Sequence, residues 1–158
     1  MEDFANNLTI FLENNNLNDL LKNSDLIDQI NYNYDEHVSN VPIMCPNSND
    51  SETTYQKILL FKSDKFDIYL FIWYPNCSTE IHDHAENGCF MKILKGKLQE
   101  TIYDTIFYKK QSKNTISEGE YKYISNKLGY HTIQNLSSIS VSIHIYSPPN
   151  HKTKYFSN

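Results

Sequence analysis

The sequence predicts a mainly β fold, a barrel or sandwich, preceded by a short helical segment. Three observations carry that prediction. Apolar residues follow a helical period up to about residue 37. From Tyr55 onward, short apolar and β-branched runs recur with turn residues between them, the pattern of many short strands. The chain has 158 residues, 39% hydrophobic and 13% aromatic, enough apolar mass for one domain with a real core.

In the first segment (1–37), Phe4, Leu8, Phe11 and Leu12 fall on one helix face, and Leu17, Leu20, Leu21 and then Leu26, Ile27, Ile30 repeat the pattern. Asp19 and Ser24-Asp25 are the expected caps. Asn runs such as Asn14-Asn15-Asn16 are discounted as compositional drift, because Asn, Ile, Lys and Tyr are all over-used. Residues 38–52 read as loop, with Pro42, Pro46 and a run of Asn, Ser and Asp. The strand runs are 55–61, 66–74, 89–94, 98–107, 121–124, 131–134 and 139–146, separated by turns such as Pro75-Asn76, Lys95-Gly96-Lys97 and Asn126 to Gly129. The whole chain, 1–158, is expected to be one domain, with the helical segment packed on a barrel spanning 55–149.

A net charge of -5 argues against nucleic-acid binding through a basic face. All 14 basic residues are Lys, so no Arg can grip a carboxylate in two-point fashion. The longest apolar run, Ile68 to Tyr74, is too short to span a bilayer, and the acidic N-terminus has no apolar leader. With 3 cysteines and no CxxC, a disulfide framework is not expected. Cys45 and Cys77 read as apolar packers or exposed thiols, and the expected location is the reduced cytoplasm.

The six histidines are unevenly spread. His82-Asp83-His84 puts two imidazoles on one face of a strand, a pair suited to Fe, Zn, Cu or Ni. Asp83 should point away from them. His131 follows a turn after Gly129, with Asn135 four residues on. In the run 141–146, Val141, Ile143 and Ile145 alternate with Ser142, His144 and Tyr146. The polar face meets either water or a cavity. His37 reads as solvated, and Lys92, Lys95 and Lys97 as a solvated hairpin.

The segment HDHAENGCFMKILKG (82–96) resembles the first cupin motif, with His82, His84 and Gly96 in place and Cys89 where most cupins carry Glu. GYHTIQN (129–135) resembles the second, with HxxxN intact. IHDH, CF, GxLxET (96–101), GxHxxxN and SIHIYSPP (142–149) are together similar to cysteine dioxygenases, over about residues 55–149. The resemblance implies a cupin-type, jelly-roll-like β-barrel in which His82, His84 and His131 bind non-haem Fe(II). It implies that Tyr146 stands over substrate and O2, with His144 supporting Tyr146 and Ser142 supporting His144. Cys89 and Tyr146 match the pair that forms a thioether crosslink in animal members, and Ser147-Pro148 matches a cis peptide. Three neutral imidazoles leave a 2+ charge uncompensated, which favours an anionic ligand such as a thiolate.

The implied activity is oxidation of L-cysteine by O2 to cysteine sulfinate. The protein is expected to act as a monomer, with a small thiol and O2 as its partners and neither nucleic acid nor membrane. Animal members anchor the substrate carboxylate with an Arg, and ungapped counting back from His82 puts Gln56 there. A bacterial subgroup with Gln there prefers 3-mercaptopropionate, so that thiol is an alternative substrate. A metal-binding cupin without activity is the third reading. Gln56, Tyr55, Tyr146 or a Lys must meet the carboxylate; Lys57 faces away from Gln56 unless a bulge redirects it. The chain ends soon after Pro149, where animal members continue, so the pocket is expected to be more open on that side or covered by a partner.

Overall fold

The computed structural model describes residues 1–39, 41 and 54–157. Helix α1 (Glu2–Phe11), a 3₁₀ turn (Leu17–Lys22), α2 (Ser24–Asp28) and α3 (Asp35–Val38) precede ten strands. These are β1 (Tyr55–Lys62), β2 (Asp67–Trp73), β3 (Ile81–His82), β4 (Cys89–Lys95), β5 (Lys97–Tyr103), β6 (Lys110–Ser117), β7 (Tyr121–Ile124), β8 (Tyr130–Asn135), β9 (Ser140–Tyr146) and β10 (Tyr155–Phe156). They form two five-stranded sheets, ordered β1-β2-β9-β4-β7 and β10-β3-β8-β5-β6. The strand pairings within both sheets are antiparallel.

Alternation along the strands builds two cores. On β2, Ile68, Leu70 and Ile72 face outward with Val141, Ile143 and Ile145 of β9. They pack against Phe4, Leu8, Leu17, Leu20, Ile27 and Ile30 of the helical segment. The odd-numbered set, Phe71 and Trp73, faces inward with Met91, Ile93, Leu98, Ile116 and Ile133. The helices therefore cover the outer face of the first sheet, as the apolar spacing predicts. Lys92, expected to be solvated, reaches back from β4. Its ammonium donates to the carbonyls of Ile27 (2.9 Å) and Ile30 (3.1 Å), where α2 ends.

Several local expectations change. Asp19 takes part in capping as expected, its carboxylate accepting from the backbone amide of Asn16, the N-cap of the 3₁₀ turn, at 2.8 Å. At α2 the cap is Asn23 in place of Ser24-Asp25, its side chain accepting from the Leu26 amide at 3.1 Å. Strand β5 stops at Tyr103, short of the expected 107, because the Asp104 carboxylate accepts from the amides of Ile106, Phe107 and Lys109 and closes a turn. Strand β6 has no apolar alternation to reveal it; it is a polar edge strand on which only Ile116 is buried. Cys77 is buried and disulfide-bonded, not a free packer; Cys45 lies outside the described residues. Among the described residues, no helix is long and apolar enough to cross a membrane.

Gly96 and Gly129 sit where a side chain cannot. Gly129 has φ +135°, and a Cβ there would stand 2.5 Å from the carbonyl oxygen of Tyr103. That close approach lets β8 pair with β5 immediately before His131. Gly96 (φ +78°) turns β4 into β5 against the backbone of Ile139. The Ser147–Pro148 peptide is cis.

Leu20 is fully buried between the helical layer and the sheet. Leu20→Ala is expected to cost about 2–5 kcal/mol of stability, measured by equilibrium denaturation. An unchanged midpoint would show that the helical layer is not part of the cooperative core.

Candidate metal centre

His82 lies in β3 directly opposite His131 of β8, and His84 follows two residues after His82. The nitrogens that the three rings offer lie within 4.8 Å of one another. Ring centres are 4.6 Å apart for His82 and His131 and 4.4 Å apart for His84 and His131. Each imidazole is held differently. His82 Nδ1 is 2.8 Å from the Glu80 carbonyl, which makes Nδ1 the donor and leaves Nε2 as the ligand atom. His131 Nδ1 is 2.8 Å from the buried Glu100 carboxylate. His84 is held through its backbone, its amide donating to Asn126 Oδ1 at 2.8 Å.

Both ring nitrogens of His84 are buried without a hydrogen-bond partner among the described residues. A buried polar atom without a partner costs free energy, and a metal ion between the three rings would satisfy it. The donor set fits that ion: three neutral imidazoles suit a borderline divalent metal. Burial, then the nearby charge of His131, holds His84 well below its ordinary range and pushes His82 down to about 3.

Beside the histidines runs a polar relay. Trp73 Nε1 donates to Ser142 Oγ at 2.8 Å, Ser142 Oγ is 2.8 Å from His144 Nε2, and His144 Nδ1 is 3.5 Å from Tyr146 Oη. Phe71 stacks on His144 with ring centres 4.0 Å apart, and Tyr55 stacks on Phe71 at 4.4 Å. The polar face of β9 therefore meets the cavity, not water. Cys89 lies directly across the β4–β9 ladder from Tyr146, with its Sγ 3.8 Å from His144 Nδ1. Burial pushes the Cys89 thiol up to about 12 and the Tyr146 phenol well above its ordinary range.

The cavity lined by His82, His84, His131, Cys89, His144 and Tyr146 has a volume of about 20 Å³, room for roughly one water-sized group. It is closed where an open side was expected. Strand β10 pairs with β3, Tyr155 stands opposite His82, and Thr153 lines the cavity. Asp83 holds this segment by accepting from His151 Nε2 (3.1 Å) and the Lys154 amide (2.8 Å). No sequence signal announced that contact. His37 lies far from this group, half-buried with its ring 6.2 Å from that of Tyr32.

Tyr55 lines the cavity, but Gln56 does not. Gln56 is exposed on the opposite face of β1, paired with Ile72, while Lys57 pairs with Phe71 and shares the inner face. The β1–β2 register is continuous from Tyr55 to Leu59, and a bulge between Leu59 and Phe61 interrupts it beyond these residues. The Lys57 ammonium stands 4.1 Å from the Tyr69 ring centre and 5.4 Å from that of Tyr146. Asn135, the last residue of HxxxN, is a structural tie. Its amide donates to the Tyr74 carbonyl (2.9 Å), and its oxygen accepts from Ser140 Oγ (2.7 Å).

Two packed antiparallel sheets with three histidines converging between them define a cupin-type fold with residues placed to hold a metal ion. Similar architecture occurs in a Klebsiella pneumoniae protein with a double-stranded β-helix domain. Its TM-score is 0.57 at 11% identity, covering 82% of this chain and 99% of that one. A Bacillus halodurans protein has a TM-score of 0.54 at 13% identity, covering 64% of this chain and 76% of its own. The family profile described as cysteine dioxygenase type I matches residues 15–158, and the chain belongs to that family. Cysteine dioxygenase type 1 of Rattus norvegicus is 37% identical over 92 residues, 54% of this chain and 46% of the rat protein. The Danio rerio protein is 37% identical over 93 residues with the same coverage. The chain thus matches about half the length of these relatives.

His82 and His84 bind protons less readily when folded than in the unfolded chain, where the value is 6.5. Their contribution is therefore fully present above about pH 6.5 and is lost as pH falls toward their folded values, about 3 for His82. The chelator-treated protein is expected to lose thermal midpoint between pH 7 and pH 4, and His82→Gln is expected to flatten that slope. An equal slope in the variant would assign the loss to other groups.

Proposed function

We propose that this chain is an iron-dependent thiol dioxygenase that oxidises L-cysteine with O2 to cysteine sulfinate. The observation that carries this reading is the convergence of His82, His84 and His131 beside the Ser142–His144–Tyr146 relay. His82, His84 and His131 would hold Fe(II), which supplies a redox-active ion able to take a thiolate and O2 together. The product adds both oxygen atoms to the substrate sulfur, so no further reductant is consumed.

The chain's own residues do the positioning. Ser142 and Trp73 fix the His144 ring, and His144 orients the Tyr146 hydroxyl. Burial keeps that phenol protonated, so it donates a hydrogen bond where negative charge develops on oxygen. Phe71, Tyr55 and Trp73 keep this side apolar and dry. Lys57 does not line the cavity, but its ammonium stands over the Tyr146 ring at the rim. Its charge suits the substrate carboxylate in a chain without Arg, and it replaces Gln56 in that role. The cross-strand pairing of Cys89 with Tyr146 also favours a thioether between them, formed with loss of two hydrogens to O2 during turnover.

Fe(II)-loaded protein is expected to consume O2 with L-cysteine and to yield sulfinate one to one, with slower uptake on 3-mercaptopropionate. Faster uptake on 3-mercaptopropionate would reassign the substrate, and no uptake on any small thiol would leave a metal-binding cupin. Intact mass after turnover should show the loss of two hydrogens, absent in Cys89→Ser.

A charge-assisted hydrogen bond is worth about 1.5–3 kcal/mol, so Lys57→Met is expected to raise KM for cysteine roughly 10- to 100-fold. Cysteamine, which lacks the carboxylate, should be indifferent to that change. Gln56→Ala should leave both substrates alone. A Gln56 effect with a silent Lys57 would reverse the assignment.

A further inference from the structure

The GxLxET segment contributes a buried carboxylate. Glu100 lies in β5 opposite Ile133, and His131 lies opposite Ile102. Glu100 and His131 are therefore diagonal neighbours across the β5–β8 ladder, within reach of a long side chain. Their contact is 2.8 Å from Oε1 to Nδ1, with Glu100 3% and His131 6% exposed. Among the described residues, no other salt bridge involves Glu100.

Burying a carboxylate is costly unless positive charge or hydrogen bonds compensate it. The three imidazoles are also supported unequally. Among the described residues, His82 leans on a neutral carbonyl, the His84 ring has no hydrogen-bond partner, and only His131 rests on a side chain that can carry charge. We infer that Glu100 is a positioning residue of the metal site, fixing the His131 ring and placing one negative charge behind the ion. Its carboxylate accepts the Nδ1 hydrogen of His131. That fixes the tautomer, leaves Nε2 to bind the ion, and makes the ring a stronger donor. The divalent ion on the far nitrogen in turn offsets the buried charge.

This inference rests on the three-histidine metal site of the proposed function, but its test does not depend on turnover. Zn(II) and Co(II) dissociation constants are measured by chelator competition, first for the unaltered protein. Glu100→Gln keeps the size and an acceptor oxygen but removes the charge. It is expected to weaken both metals about 10-fold, and Glu100→Ala by up to about 100-fold. The Gln variant should also raise the midpoint potential of the bound iron, because less negative charge then favours the reduced ion.

Circular dichroism of the Zn(II) forms checks folding. NMR of the unaltered Zn(II) protein, which needs no variant to fold, should show a downfield, exchange-protected His131 Nδ1 hydrogen. Unaltered metal affinity and potential in Glu100→Gln, or absence of that hydrogen, would overturn the inference. An unaltered protein that binds neither metal would overturn the metal site itself.

Discussion

Strand β9 is hydrogen-bonded along one edge to β2 and along the other to β4, so its side chains can only alternate between two buried faces. Val141, Ile143 and Ile145 take the face under the helices; Ser142, His144 and Tyr146 take the face toward the cavity. A slip of one residue would drive a histidine and a tyrosine into the apolar layer. The apolar contacts with Leu8, Leu20 and Ile30 therefore hold the polar relay in register, although none of those residues approaches the metal site. Cys89 is fixed opposite Tyr146 by the same ladder.

Burial makes each polar group in this interior costly unless it has a partner, and most have one. Trp73 donates to Ser142, Ser142 meets His144, and Asn135 ties β8 to the end of β2 and to Ser140. The His84 ring stands out because its backbone is well held by Asn126 while its nitrogens are not. A ring so firmly placed and so poorly satisfied is what a metal ligand looks like before its ion is considered.

The convergence of His82, His84 and His131 was legible because their spacing is local. HxH and GxHxxxN are read within seven residues, and the β9 alternation within six. Partners set by strand pairing were not. Glu100 reaches His131 across a ladder between residues 31 apart in sequence. That Lys57 and not Gln56 shares the inner face with Tyr55 is set by the pairing of β1 with β2. The segment closing the cavity pairs through only two residues, Tyr155 and Phe156, too few to carry a periodic signal. Discounting asparagine runs as drift hid Asn16, and Asn23 was passed over for Ser24-Asp25; both organise the helical segment through contacts that depend on position, not on composition.

Charge ties these late-found residues together. Three neutral imidazoles leave a divalent ion with its full charge, and Glu100 would return one negative charge without occupying a coordination position. That keeps the open positions free while moderating the ion's attraction for any passing anion. Lys57 adds a positive charge on the opposite side, over the Tyr69 and Tyr146 rings. An ammonium grips a carboxylate as a point charge, without the fixed two-point geometry of a guanidinium. On the proposed function, discrimination between thiols would then come more from where the thiolate sits than from how the carboxylate is held. That throws weight onto Tyr146, His144 and the dry wall of Phe71, Tyr55 and Trp73, the part of the site that the β9 register fixes most firmly.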